Sequence, residues 1–267
     1  MENIKYIILG IFQGITEPIP VSSSGHLVIL RRLISAEFFY NLNFEIIVNF
    51  GSLIAVIYFF RNDLKTILND FFSYLKTKEK KAKSNYNYTW LIIIGTIPAA
   101  IIGLIAKDLI EANLSNIKII GFALLLTASF LFIIKDMKGT KEDHKITIKD
   151  ALVIGLFQAV ALIPGISRSG ATIVGSMFRN LKRETAFKYS FLLFIPVSVA
   201  SMVLGLKDIL QDESIVNLLV PYFLGLVGST IFTYYALGWF NNIIKKGKLI
   251  YFVYYCLIVG VLVILFL

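Results

Sequence analysis

Two stretches of this chain concentrate the groups that could do chemistry. The first, Gln13-Gly14-Ile15-Thr16-Glu17-Pro18-Ile19-Pro20-Val21-Ser22-Ser23-Ser24-Gly25-His26, sets an amide, a carboxylate, a run of serine hydroxyls and an imidazole inside apolar surroundings. The second, Pro164-Gly165-Ile166-Ser167-Arg168-Ser169-Gly170-Ala171-Thr172, surrounds a guanidinium with small residues and hydroxyls. Gln13 and Glu17 are four apart and share a helix face, and Pro18 pushes Glu17 out of the helical region, ending the helix at the carboxylate. Ser22, Ser23 and Ser24 fall where a second helix would start, a favoured capping position. A helix start also offers free amides and a positive dipole to an anion. Ser22 and Ser23 stand four and three residues before His26, so either hydroxyl could face the imidazole and be activated as a nucleophile. Spacing does not choose between them, nor between these and His26 acting as acid, base or phosphoryl acceptor.

On the second stretch, Arg168 suits a bidentate clamp on phosphate that also stabilises transition-state charge. Gly165, Ser167 and Ser169 let backbone amides approach an anion, and Thr172 adds a hydroxyl. Glu17 beside phosphate oxygens could hold a divalent cation, Mg2+ or Ca2+, with Glu45 and Asn49 as outer contributors. The plainer alternatives are a structural Glu17–Arg168 pair, serines that cap or pack helices, and a histidine satisfied within a core.

These stretches must be positioned by the rest of the chain, and the chain repeats itself to do so. Gly10-Ile11-Phe12-Gln13 aligns with Gly155-Leu156-Phe157-Gln158, 145 residues later, and Val21-Ser22-Ser23-Ser24-Gly25 with Ile166-Ser167-Arg168-Ser169-Gly170. With 57% hydrophobic and 16% charged residues over 267 positions, the composition is that of a polytopic membrane protein. Six apolar runs approach the length of about 20 residues that a crossing helix needs: 44–60, 88–106, 117–134, 185–206, 215–240 and 249–267. The two chemical stretches are interrupted by Pro18, Pro20, Gly25 and by Pro164, Gly165, Gly170, and read as half-helix, loop, half-helix. Irregular backbone at membrane depth is tolerated where it is buried in protein or lines a cavity. The expected fold is therefore all-α: six transmembrane helices plus two re-entrant helical hairpins, the first over 4–34, in one membrane domain over 1–267. Three crossings separate the hairpins, so the halves, about 1–135 and 149–267, form an inverted-topology repeat whose tips can meet near the midplane.

Charge tests the layout. Nineteen of the 26 Lys and Arg fall in 61–87, 135–149, 179–188 and 241–248, which makes that face cytoplasmic and turns both termini and the first hairpin's mouth outward. The formal charge of +9 is thus a topology signal, not a nucleic-acid one, since the other cues for nucleic acid are missing. Lys76–Lys83 reads as a cytoplasmic loop touching anionic headgroups, and Arg31 and Arg32 as interfacial anchors that could also attract an anion. Asp150 is expected as a helix-start acid. Cys256, alone, cannot pair within the chain. The short apolar run 6–12 lacks a signal-peptide cleavage pattern.

The combination of Gln13-x-x-x-Glu17, Pro20-Val-Ser-Ser-Ser-Gly-His26 and Pro164-Gly-Ile-Ser-Arg-Ser-Gly-Ala-Thr172 resembles the undecaprenyl-diphosphate phosphatases of bacterial envelopes, the UppP or BacA family. The likeness runs over essentially the whole chain. Gln13 stands where some members carry Glu, which removes one possible carboxylate ligand to a metal. The resemblance implies a multi-pass plasma-membrane enzyme that removes the terminal phosphate of undecaprenyl diphosphate on the outer leaflet and so recycles the lipid carrier of wall synthesis. It also implies divalent cation dependence and bacitracin resistance on overexpression. Matched by position, Glu17, Ser23, His26 and Arg168 become the catalytic set, with a polyprenyl diphosphate and membrane lipids as partners and room for a homodimer. A rival reading, an anion or lipid transporter using the same inverted-repeat site, stays open on this pattern. A phosphatidic acid phosphatase is disfavoured, because no second histidine follows Ser167-Arg168.

Overall fold

Prolines stop the first helix, and serines start the next. In the computed structural model, which describes residues 2–34, 42–113, 116–211 and 215–267, the chain is built of helices. The side chain of Arg31, read above as an interfacial anchor, lies outside the described residues. In chain order the helices are α1 (Glu2–Thr16), α2 (Ser23–Ile34), α3 (Leu42–Phe59), α4 (Arg61–Thr77), α5 (Lys83–Asn113), α6 (Ile117–Ile134), α7 (Ile148–Val160), α8 (Arg168–Phe178), α9 (Arg183–Gln211), α10 (Ile215–Lys246) and α11 (Ile250–Phe266).

The two broken stretches fold alike. α1 ends just before Glu17 and α2 begins at Ser23. α7 ends at Val160 and α8 begins at Arg168. Ser22 Oγ accepts the Gly25 N–H at 3.2 Å, and Ser167 Oγ accepts the Gly170 N–H at 3.1 Å. These caps satisfy amides that a helix start leaves orphaned, at the same place in both repeats.

Four helices among the described residues are long and apolar enough to cross a membrane, α3 with α4 forms a candidate bent by 74°, and α11 is a shorter apolar helix. The protein is thus an all-helical integral membrane protein. Most of the stretch before the expected loop at Lys76–Lys83, placed above on the basic face, forms helix α4, which runs to Thr77. Leu64, Ile67, Leu68, Phe71, Phe72 and Leu75 recur at helical spacing between the charges, an amphipathic stripe that accounts for the helix. Phe71 stacks on Tyr86 of α5 at 5.3 Å, and Asn85 donates to Asp70 at 2.6 Å.

Packing exchanges between the halves. α1 lies on α10 and α7 on α5, α3 packs on α10 and α9 on α5, and α6 pairs with α11. Small residues allow the closest of these crossings. A Cβ on Gly10 would sit 2.1 Å from the Gly225 carbonyl oxygen, and one on Gly155 would sit 2.4 Å from that of Gly95. Gly10 and Gly155 are the repeat-related pair, so each hairpin is pressed onto the other half at an equivalent point.

At the basic rim, α7 opens with a capping box in which Thr147 and Asp150 satisfy each other's backbone N–H. Asp150 is fully buried and also binds Arg179 Nε at 2.7 Å and Lys141 Nζ at 3.0 Å. Burial alone would raise its pKa, but the Thr147 N–H and hydroxyl with Lys141 and Arg179 bring it down to about 2.

Gly10→Val and Gly155→Val should each lower stability by about 1–3 kcal/mol, read as a lower thermal midpoint in detergent. Gly238→Ala should leave the midpoint unchanged, because its Cβ meets nothing closer than 4.0 Å. The Asp150 contribution, from a carboxyl held down when folded, should be complete above about pH 4 and vanish as pH falls toward about 2. Midpoints measured across that range should show an acid leg that Asp150→Asn flattens.

Candidate active site

The two caps bring the loop tips together. A Cβ on Gly25 would lie 3.0 Å from Gly165 Cα. Gly165 has φ +92°, and any side chain there would strike Ala123 and Ile120 of α6. Its role is therefore close packing of the second tip.

Glu17 is the hinge of the site. Its Oε1 pairs with Arg168 Nη2 across the two tips, and its Oε2 accepts from Ser23 Oγ at 2.5 Å and Gln13 Nε2 at 2.8 Å. The carboxylate can only accept, so Gln13 must turn its nitrogen toward it, which leaves Gln13 Oε1 buried without a partner among the described residues. Arg168 lies with its Cζ 3.7 Å from the Phe194 ring centroid, a cation–π contact strengthened by burial. Its Nη1 is likewise buried and unpartnered among the described residues. An orphan donor of this kind, next to a carboxylate that holds a serine hydroxyl, could receive an oxyanion.

The remaining residues sort by contact. Ser167 and Ser169 hydroxyls lie 3.1 Å apart, and Ser169 Oγ reaches the Ile19 carbonyl at 3.4 Å, tying the second tip to the first. Thr172 is fully buried and uses its hydroxyl on the Arg168 and Ser169 carbonyls and on Ser190, so it braces the helix start. Ser24 is exposed. Ser22 caps α2 and has φ +68°, a left-handed conformation rare for a non-glycine residue.

The expected pairing of Ser22 or Ser23 with His26 is not formed. His26 Nδ1 is 2.8 Å from the Ser22 carbonyl, and Nε2 is 2.7 Å from the Tyr255 hydroxyl. The helical spacing was sound, but Ser22 lies before the helix in a turn of opposite hand, and Glu17 competes for Ser23. Tyr255 and Phe194 were not foreseen. Both lie within apolar spans, where an aromatic carries no signal of a polar partner.

For a divalent cation the residues present fit modestly. Among the described residues no group of three or more His, Cys, Asp or Glu side chains gathers, and Asn49 is engaged by Ser198 at 3.3 Å. Glu17 and the orphaned Gln13 Oε1 offer two oxygens, a small set of the kind that is completed by substrate phosphate and water.

Fold and site together define a helical membrane protein with an ion-paired polar centre built across two broken helix pairs. The chain belongs to the family described as bacitracin resistance protein BacA, whose model matches residues 6–262. It is 48% identical over 264 residues to "Undecaprenyl-diphosphatase 2" of Bacillus thuringiensis (strain Al Hakam), covering 99% of this chain and 97% of that one. "Undecaprenyl-diphosphatase 1" of Halalkalibacterium halodurans is 46% identical, covering 97% and 94%, and "Undecaprenyl-diphosphatase" of Oceanobacillus iheyensis is 43% identical, covering 99% and 96%.

Removing either partner of a buried ion pair costs about 3–5 kcal/mol, mostly through the charge left behind. Glu17→Ala and Arg168→Ala should each lower the thermal midpoint sharply, and the double variant should fall by clearly less than their sum. Strict additivity would show that the pair is not coupled.

Proposed function

We propose that this protein hydrolyses undecaprenyl diphosphate to undecaprenyl phosphate and inorganic phosphate, the activity carried in the names of its relatives. Those names carry no transport activity, so the transporter reading gains nothing from them. The observation that supports the enzyme most directly is the Ser23 hydroxyl donating to Glu17, with Arg168 on the opposite carboxylate oxygen.

Ser23 Oγ attacks the terminal phosphorus while its proton passes to Glu17 Oε2. The bridging P–O bond breaks, and undecaprenyl phosphate leaves with the electron pair and takes the proton from Glu17, which is a carboxylate again. Water then attacks the phosphoserine with Glu17 as base, releasing inorganic phosphate and restoring the serine. Arg168 Nη1 engages a phosphate oxygen throughout, where the charge of the transition state develops. Amides at the start of α2, α8 and the second tip face the same anion. Glu17 and Gln13 would hold a divalent cation, which when bound supplies charge neutralisation at the diphosphate.

Six crossings, α3, α5, α6, α9, α10 and α11, with the two hairpins re-entrant from opposite faces, complete the proposal. The exchanged packing of the halves and the equivalent caps support an inverted repeat, and the lysine and arginine distribution supports a site open to the outer leaflet with both termini outside.

Purified protein in detergent should release phosphate from undecaprenyl diphosphate. Arg168→Ala and Ser23→Ala should each lower the rate by about 100-fold or more, and a chelator should abolish it, with Mg2+ or Ca2+ restoring it. Folded wild type that releases no phosphate with any of several cations would sink the enzyme reading.

A further inference from the structure

We propose that Tyr255 and His26 are positioning residues of this site, a relay from α11 that holds the turn at Ser22, and that His26 exchanges neither protons nor phosphate with substrate. The inference rests on the phosphatase reading above.

The hydrogen bonds fix the histidine. A carbonyl only accepts, so the contact with the Ser22 oxygen places the imidazole proton on Nδ1. Nε2 of the neutral ring is then the acceptor, and the Tyr255 hydroxyl donates to it. Both nitrogens are engaged. The ring is 6% exposed, parallel to Tyr255 at 5.5 Å and 15°, with Phe12 at 6.1 Å. In this arrangement no lone pair of His26 is directed to Ser23 or to a phosphorus atom beside it.

What His26 does hold is the residue before the nucleophile. The Ser22 carbonyl takes two donors from His26, the backbone N–H at 3.1 Å and Nδ1–H at 2.8 Å. Ser22 has φ +68°, a conformation that persists only when its surroundings over-determine it. That turn delivers the next residue's hydroxyl to Glu17 at 2.5 Å.

The second hairpin supplies an internal control. Its cap, Ser167, has an ordinary φ of −72°, and the position matching His26 is Ala171. The imidazole accompanies the strained turn and is absent where the turn is relaxed. α11 also touches the first loop one residue further on, where Cys256 Sγ lies 3.6 Å from the Pro20 carbonyl. The last helix therefore grips this loop at two points.

His26→Asn separates the roles, because its amide N–H can occupy the place of Nδ1–H while it offers neither a base nor a nucleophile. Phosphate release from undecaprenyl diphosphate should fall by about 100-fold or more in His26→Ala but by no more than about tenfold in His26→Asn, with KM little changed. Tyr255→Phe should lower kcat about fivefold and should have little further effect in the His26→Asn background. Asn as inactive as Ala in protein with a wild-type thermal midpoint would overturn the proposal, as would an undiminished rate in Tyr255→Phe. Nitrogen-15 spectra of histidine-labelled wild type, with His144 as the only other signal, should show His26 as the Nδ1–H tautomer; the Nε2–H tautomer would also overturn it. The spectrum needs no turnover, so it separates failure here from failure of the phosphatase reading.

Discussion

The ion pair between Glu17 and Arg168 joins residues 151 apart in sequence, and the other features of the centre are arranged around it. A charge deep among apolar helices is costly alone and tolerable when paired and hydrogen-bonded. Neither loop could carry its ionic group without the other. The glycine crossings, the serine caps and the packing of Gly165 on α6 all bring the two tips within reach. Even so, the pair is not closed. Gln13 Oε1 and Arg168 Nη1 are left as an acceptor and a donor without partners among the described residues, and that residual polarity is what a diphosphate and its cation would satisfy.

The repeat supplies the scaffold, and departures from it supply the chemistry. Where the first hairpin has Glu17, Ser23 and His26, the second has Leu162, Arg168 and Ala171. One half thus contributes the carboxylate and the hydroxyl it holds, and the other the guanidinium. Two identical tips would have brought like charges together, which repel and disfavour ionisation. The cap geometry is shared because both helices need it. The ionic residues differ because the site needs both signs.

Much of this was legible in the sequence because it was written in local grammar. Pro18 and the serines mark where a helix stops and starts, and that grammar is short-range. The 145-residue repeat exposed the second tip, and a lone arginine in apolar surroundings called for a partner. Amphipathic α4 is less legible, because its charges serve as a topology signal and mask the helical period of the apolar residues between them. The serine–histidine pairing failed for a subtler reason: it presumed a helix through Ser22, whose positive φ cannot be read from its residue type. Tyr255 and Phe194 meet the site only through tertiary contact, and no spacing rule reaches across helices.

The exchanged packing bears on how the protein is made. α1 rests on α10, which begins at Ile215, whereas α7 rests on α5, which precedes it in the chain. During synthesis the second hairpin emerges to find its cradle already in place. The first waits, its polar tip without Arg168 and its glycine face uncovered, until most of the chain has followed. The carboxylate-bearing half of the site is therefore an orphan of biosynthesis until α8 brings Arg168 and α10 covers the glycine face.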